Sequence, residues 1–244
     1  MRRSTLLRCL VLLGWLRFLG FSTDLLETWK ICVGGRLKIV LIDIQFVREN
    51  DYPGTFIVVE GADGAGTTTQ SKKLAEELDA YWTCEPAGNL IGEKVEGMIS
   101  SGDYSSEAVA LGFAADRMVH LEDEVIPRLE SGEIVVCDRY YHSSMVYQPV
   151  SGVEFEWVKE LNGEPVRPDF TAVLDVSADE GMGRVKDRGE EETIYEELSF
   201  QEKVVAGYRK LEQDLNEDIE FVDASQSVDD VFSDLQKVFD RNFD

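Results

Sequence analysis

The chain has 244 residues, of which 43% are hydrophobic and 30% are charged, so it can bury a core and is not wholly disordered. Its 48 acidic and 24 basic residues give a formal net charge of −24 at pH 7. A field of that sign repels phosphate backbones, which excludes general nucleic-acid binding through a basic face. An anionic substrate therefore needs a local cationic site.

The first 50 residues differ in charge from the rest of the chain. They carry eight basic and four acidic residues, so the remainder holds a net charge of −28. Acidic clusters such as residues 190–192 predict a halophilic protein whose self-repulsion is screened by salt. We expect an atypical N-terminal extension over residues 1–53 and one domain over residues 54–244.

Three interpretations of the extension stay open. An upstream-extended start is favoured over a cytoplasmic appendage and over a signal or anchor. Arg8 and Arg17 interrupt the apolar run, and no small-x-small cleavage site follows Phe21. The four cysteines are widely spaced without a CxxC pair, which indicates neither a zinc site nor a disulfide framework. We expect a cytoplasmic domain that does not bind a membrane.

Short apolar runs alternate with helical patterns from Thr55 onward. Five runs predict buried strands, since their β-branched residues show no polar alternation. Between the first two, residues 68–78 predict a helix with Leu74 and Ala75 on its inner side. This alternation predicts an α/β fold with helices on both faces of a five-stranded parallel sheet. The runs are residues 55–60, 80–83, 134–137, 171–176 and 219–222.

A glycine-rich loop follows the first run. Gly61, Gly66 and Thr68 match the pattern G-x-x-x-x-G-K-[ST], whereas Thr67 stands at the lysine position. Backbone N–H groups of such a loop and the following helix N-terminus bind phosphate; a plain glycine turn that caps a helix is the alternative. The candidate ATP-binding residues of the loop are Gly61, Ala62, Asp63, Gly64, Ala65, Gly66, Thr67, Thr68 and Thr69.

The missing lysine matters because that residue neutralises the β- and γ-phosphates during transfer. Lys72, one turn into the helix, is expected to be solvated. The later cluster of Arg184, Lys186 and Arg188 is better placed to substitute if its segment closes over ATP.

An acid and a cation follow the apolar run 134–137. Asp138 can hold Mg²⁺ through water opposite Thr68, and Arg139 can clamp a phosphoryl group bidentately. An exposed salt bridge at the strand end is the alternative, but the neighbouring phosphate loop favours a nucleotide site.

Six sequence blocks, in order, resemble the thymidylate kinases, the dTMP kinases among the P-loop nucleoside-monophosphate kinases. The resemblance covers about residues 55–239. It implies the three-layer P-loop fold, phosphorylation of dTMP by ATP with Mg²⁺, and commonly a homodimer. The blocks are residues 56–70 apart from Thr67, 85–86 with 91–94, 113–117, 138–144 with 147–148, 168–169 with 174–176, and 223–227.

The resemblance also implies roles for individual residues. Segment 184–197 falls where the family places a mobile lid over ATP, so Arg184 is expected to bind ATP. Thr68 and Asp138 would organise the metal. The catalytic residues would be Arg139, Asp138 and Arg188, and the dTMP-binding residues Asp63, Glu85, Phe113, Arg117, Arg139, Tyr147 and Gln148.

Four positions depart from the family pattern. Thr67 replaces the loop lysine, and Cys84 stands where the bacterial pattern T-R-E-P has arginine. Gly64 and Thr193 lie where some members carry a basic residue. Two alternatives to a dTMP kinase therefore stay open: a kinase for another monophosphate, and a nucleotide-binding relative that does not turn over.

Overall fold

The computed structural model describes residues 28–33, 36–41, 47–163, 165–188 and 197–243. The chain divides into two units, Met1–Gln45 and Phe46–Asp244. In the first unit, strands β1 (Thr28–Val33) and β2 (Arg36–Leu41) form an antiparallel hairpin that pairs Thr28 with Leu41.

Residues 47–53 lie in the second unit, although the sequence places them in the expected extension. Val47 is buried, and the backbone N–H of Arg48 donates to the carbonyl of Pro165 at 3.0 Å. The side-chain amide of Asn50 donates to Asp169 at 2.6 Å. The unit that holds the large sheet therefore begins before the boundary expected at residue 54.

Five parallel strands form the centre of the second unit, in the order β4-β5-β3-β6-β7. Each strand overlaps the apolar run expected for it, so the prediction of a five-stranded parallel sheet is confirmed. The strands are β3 (Thr55–Gly61), β4 (Tyr81–Cys84), β5 (Ile134–Asp138), β6 (Phe170–Asp175) and β7 (Glu220–Asp223).

Helices connect these strands and cover both faces of the sheet. Local capping explains two of their starts: Asn89 accepts from the N–H groups of Ile91 and Gly92, and Ser105 accepts from that of Ala108. A π-helical turn, Leu121–Val125, joins the third helix to the fourth. The helices are α1 (Thr67–Glu77), α2 (Leu90–Ser101), α3 (Ser106–His120), α4 (Ile126–Glu130), α5 (Tyr141–Val150), α6 (Phe155–Asn162), α7 (Ala178–Arg188), α8 (Leu198–Leu215) and α9 (Val228–Phe243).

The core has two layers because β3 is apolar on both faces. Phe56 and Val58 join a cluster that includes Val204 of α8, whereas Ile57 and Val59 join a cluster that includes Leu74 of α1. Burial on both faces is the reason for the uniform β-branched run in this strand.

The carboxyl ends of the strands meet at one edge of the sheet. Val59 pairs with Asp138 on one side of β3, and Gly61 pairs with Leu174 on the other. Ligands of open parallel sheets bind at this edge. Within the described ranges, no helix is both long and apolar enough to cross a membrane.

Candidate active site

The glycine-rich loop leads directly from β3 into α1. Gly64 and Gly66 have φ angles of 79° and 96°, in the region that glycine adopts without strain. The loop closes on itself where the N–H of Ala65 donates to the carbonyl of Ala62 at 3.1 Å. The first N–H groups of α1 have no intrahelical acceptor, so this end of the helix favours an anion.

Of the basic residues expected near the loop, Arg184 contacts it, whereas Lys72 points to the flank of α1. The ammonium of Lys72 stands 4.4 Å from the ring centroid of Trp82, on the flank of α1. Arg184, by contrast, donates to the loop carbonyl of Gly64 at 3.4 Å and to that of Ala224 at 2.9 Å. Arg184 therefore reaches the phosphate loop and ties it to the late segment 223–227. The side chain of Arg188 lies outside the described residues.

Thr68 and Asp138 meet across the mouth of the loop. The Thr68 hydroxyl donates to Asp138 Oδ2 at 2.5 Å. The second carboxylate oxygen, Oδ1, is buried and has no hydrogen-bond partner among the described residues. A hydroxyl beside an unsatisfied carboxylate oxygen fits a hydrated Mg²⁺. No group of three or more His, Cys, Asp or Glu in the described ranges could hold a metal ion, so water and substrate would complete the shell.

Arg139 forms a second cluster beside the loop. Its guanidinium donates to Asp63 Oδ1 at 2.8 Å and to the carbonyl of Gly61 at 2.9 Å. The Tyr147 hydroxyl also donates to Asp63 Oδ1, at 2.9 Å. Burial raises the pKa of Tyr147, which keeps this hydroxyl a neutral donor. Burial alone would lower the pKa of Arg139, but Tyr147 and Asp63 outweigh it and raise that pKa well above its ordinary value.

Gln201 on α8 completes the contacts of Asp63, and the sequence analysis did not predict it. Its amide donates to Asp63 Oδ2 at 2.6 Å, and the Asp63 backbone N–H donates to its carbonyl oxygen at 3.3 Å. The sequence carried one signal for it. Gln201 is a polar residue on the helix face that buries Val204, Val205 and Tyr208.

Glu85 and Arg117 are paired in the interior, as part of the expected dTMP site. The Arg117 Nε donates to Glu85 Oε2 at 2.9 Å, and Arg117 is only 2% exposed. Ser144 accepts from the same guanidinium at 3.0 Å, and Asn162 accepts as well. His120 contacts the other oxygen of Glu85 at 3.1 Å. The guanidinium is thus held in a fixed orientation. Nothing in the sequence pointed to Asn162.

Three further residues of the expected dTMP site lie on two helices. Phe113 is half-buried on α3, one turn before Arg117. Tyr147 and Gln148 lie on α5, and the Oε1 atom of Gln148 is buried without a partner among the described residues. Of the predicted residues, the structure joins Thr68 to Asp138, Asp63 to Arg139 and Tyr147, and Glu85 to Arg117.

Comparison with known proteins identifies the family. The family model described as thymidylate kinase matches residues 59–235. The chain belongs to the thymidylate kinase family. A probable thymidylate kinase of Pyrococcus abyssi is 40% identical over 193 residues, which cover 75% of this chain and 94% of that relative. The thymidylate kinase of Staphylococcus haemolyticus is 36% identical over 196 residues, which cover 75% of this chain and 96% of that relative.

One departure from the thymidylate kinase pattern has a clear electrostatic consequence. Cys84, at the end of β4, pairs in register with Asp138. Burial and then the Asp138 charge raise the pKa of the Cys84 thiol to about 11. The thiol is therefore neutral near pH 7 and cannot supply the charge of the arginine found at this place in the bacterial pattern.

Proposed function

We propose that this protein transfers the γ-phosphoryl group of ATP to dTMP and forms ADP and dTDP. One observation carries the proposal: the Thr68–Asp138 pair and the Asp63–Arg139 pair flank one phosphate-binding loop at the ligand-binding edge of the sheet. Membership of the thymidylate kinase family, a family of phosphotransferases, supports the choice of reaction.

The transfer would be a direct in-line displacement. An oxygen of the dTMP phosphate attacks the γ-phosphorus, and the bond to the β,γ-bridging oxygen breaks as ADP leaves. The attacking oxygen is already anionic, so no strong base is needed and the protein contributes positioning and charge neutralisation. Residues 61–69 would bind the ATP phosphates, and Arg139 would stabilise the charge on the transferring group. Asp63 and Tyr147 would hold Arg139 in place.

Thr68 and Asp138 are the residues that would hold Mg²⁺. The unsatisfied Asp138 Oδ1 supports this assignment, because it is buried next to the Thr68 hydroxyl. Bound there, the ion would neutralise charge on the ATP phosphates.

The dTMP would lie on the side of Arg139 that faces α3 and α5. We propose that Phe113 and Arg117 contact the base region, with Glu85 orienting Arg117. Tyr147 and Gln148 would lie beside the sugar and base, and Asp63 near the sugar and phosphate. The fixed Arg117 guanidinium and the unpartnered Gln148 oxygen support a site that reads a base by hydrogen bonds.

The lysine position of the loop holds Thr67, so other cations must neutralise the phosphates. Arg184 supports this role best, since it already contacts the loop carbonyl of Gly64. Arg188, a little further along α7, is proposed as a catalytic partner when the segment that follows covers ATP.

The test is a turnover assay on the full chain in about molar KCl, which screens the acidic surface. ADP formation is followed with ATP, Mg²⁺ and, separately, dTMP, dUMP, UMP or dCMP. We expect turnover selective for dTMP. Selectivity for another monophosphate would overturn the substrate, and dTMP binding without turnover would indicate a non-catalytic relative. If the native protein is inactive and Thr67→Lys is active, the lack of turnover is due to the missing lysine.

We further propose that the protein is a homodimer. Leu111 and Met118 on α3 are 50% and 58% exposed, and a second copy that covers this helix would bury them. Sedimentation should show a dimer that Leu111→Glu with Met118→Glu converts to a monomer. A monomeric starting protein would overturn the proposal.

We propose a halophilic, cytoplasmic setting, and the charge of the protein supports the halophilic part. A formal charge of −24 opposes the compact state unless salt screens it. The protein should therefore unfold or lose activity as KCl falls well below molar, and full stability in dilute buffer would contradict this. We also propose that, of the extension expected over residues 1–53, only residues 1–45 lie outside the kinase domain. Limited proteolysis that removes residues 1–45 without loss of activity would support this, and loss of activity on their removal would contradict it.

A further inference from the structure

We infer that Glu60 is a positioning residue for Arg139, because its carboxylate fixes the turn that carries the guanidinium. This inference rests on the proposed function in one respect, which is the assignment of Arg139 to the nucleotide phosphates. Glu60 itself is fully buried at the end of β3 and does not reach the loop mouth.

The Glu60 carboxylate accepts hydrogen bonds from four donor groups, which belong to three residues. Oε1 accepts from the backbone N–H groups of Tyr140 at 2.7 Å and Ser143 at 3.2 Å. Oε2 accepts from the hydroxyls of Ser143 at 2.7 Å and Tyr208 at 2.9 Å. The Tyr140 N–H precedes α5 and has no intrahelical acceptor, whereas the Ser143 N–H, in the first turn, is shared between Glu60 and the carbonyl of Tyr140 at 3.1 Å. The carboxylate therefore caps this helix from a neighbouring strand.

The turn that precedes α5 needs such a restraint. Arg139 has a φ angle of 67°, a left-handed conformation that is unfavourable for a residue with a side chain. Its own N–H donates to the carbonyl of Val59 at 2.9 Å, and the next N–H, of Tyr140, donates to the Glu60 side chain. Two successive residues of β3 thus fix two successive residues of the turn. Without the Glu60 bond, the turn is free to relax toward an ordinary backbone conformation.

Ser143 extends the restraint to the guanidinium itself. Its hydroxyl lies 2.7 Å from Glu60 and accepts from Arg139 Nη1 at 3.3 Å. Glu60 therefore acts on Arg139 at both ends, through the backbone of the turn and through the Ser143 hydroxyl. Because displacement of a phosphate-binding group by about 1 Å can cost about 100-fold in rate, this restraint matters for transfer.

A purely structural role for Glu60 is the competing explanation, and Glu217 provides the matched control. Glu217 is also a buried carboxylate that binds α5, where it contacts the Tyr141 hydroxyl at 2.7 Å and His142 Nε2 at 3.1 Å. None of its described bonds reaches Arg139 or Tyr140, and its partner His142 stands 3.8 Å from Glu60 Oε1 through Nδ1, beyond hydrogen-bond distance. Loss of Glu217 should therefore reduce stability without affecting Arg139.

The experiment is a double-mutant cycle on the full chain with Glu60→Ala and Arg139→Ala, together with Glu60→Gln and the control Glu217→Ala. Rates of ADP formation from ATP and dTMP, dissociation constants for ATP and Tm are measured for every variant. The amide oxygen of glutamine can accept from both N–H groups. Its amide nitrogen can donate to both hydroxyls, since a hydroxyl can accept as well as donate a hydrogen bond. Glu60→Gln should therefore keep the turn and recover most of the activity.

We expect Glu60→Ala to lower kcat about 100-fold in the native background but less than about threefold in the Arg139→Ala background. Glu217→Ala should lower Tm and remain additive with Arg139→Ala. Additive effects of Glu60 and Arg139 in both kcat and ATP affinity would overturn the inference.

If the native protein does not turn over, the proposed function fails, and the ATP dissociation constants still decide whether the two residues are coupled. If Glu60→Ala does not fold, Tyr208→Phe, which removes one donor to Glu60, replaces it in the same cycle.

Discussion

The backbone of Gly181 on α7 packs directly against that of Gly64 in the phosphate loop, so that a Cβ atom on Gly64 would overlap the Gly181 carbonyl oxygen. A Cβ on Gly181 would in turn overlap the carbonyl oxygen of Asp63. This contact explains why position 64 cannot carry the basic residue found in some relatives.

Gly181→Ala should therefore destabilise the protein, by about 1–3 kcal/mol, and weaken ATP binding, because the methyl group displaces the loop. Gly183 is the matched control in the same helix, since a Cβ there would have no atom within 4 Å. Gly183→Ala should be neutral or stabilise by about 0.5–1 kcal/mol through helix propensity. Urea unfolding in about molar KCl and ATP titration measure both effects. Equal behaviour of the two variants would contradict the close contact.

Arg139→Ala should lower kcat by about 100-fold to 1,000-fold while the affinity for dTMP changes far less, because the guanidinium is assigned to charge that develops during transfer. Arg139→Lys keeps the charge but loses the planar fork that binds Asp63 and the Gly61 carbonyl. It should recover only part of the rate. Steady-state kinetics and dTMP titration separate the two parameters. An unchanged kcat in Arg139→Ala would remove the residue from catalysis.

Local patterns were enough to predict the sheet, the phosphate loop and both members of the Thr68–Asp138 pair. Apolar runs located all five strands, and the glycines with Thr68 located the phosphate loop at its correct end. The contacts of Glu60 and Gln201 could not be predicted, because each joins residues far apart in sequence through a single polar side chain. The clue for Glu60 was that it is a charged residue at the end of a buried strand, and the clue for Gln201 was that it lies on the helix face that buries Val204 and Tyr208.

Cys84 should react slowly with iodoacetamide near neutral pH, because the thiolate is the reactive form and the pKa is raised to about 11 by burial and by Asp138. The labelling rate of the native protein should still be rising near pH 11, where the Cys84 thiol is half ionised, whereas a free cysteine peptide is half ionised already near pH 8.5. Asp138→Asn removes one of the charges that raise this pKa and should speed labelling at pH 8. Mass spectrometry of the labelled peptide measures each rate. Rapid labelling of the native protein at pH 7 would be incompatible with this environment.

Glu217 should make the stability of the protein depend on acidity. Burial raises the pKa of its carboxyl, but hydrogen bonds from His142 and Tyr141 outweigh that effect and hold the pKa below its ordinary value. A carboxyl with a lowered pKa in the folded state stabilises fully above its unfolded pKa, about 4.3, and loses this contribution as the pH falls through the folded pKa.

Glu217→Gln should therefore cost about 1.5–3 kcal/mol at pH 7, the usual range for hydrogen bonds to a charged group. The difference from the native protein should shrink as the pH falls below about 4. Glu212 is exposed in the last turn of α8, shortly before Glu217, so Glu212→Gln should change stability by less than about 0.5 kcal/mol at any of these pH values. Urea unfolding between pH 3.5 and 7 in about molar KCl measures all three proteins. A Glu217→Gln deficit that stays constant with pH would show that the ionised carboxylate is not what stabilises this end of α8.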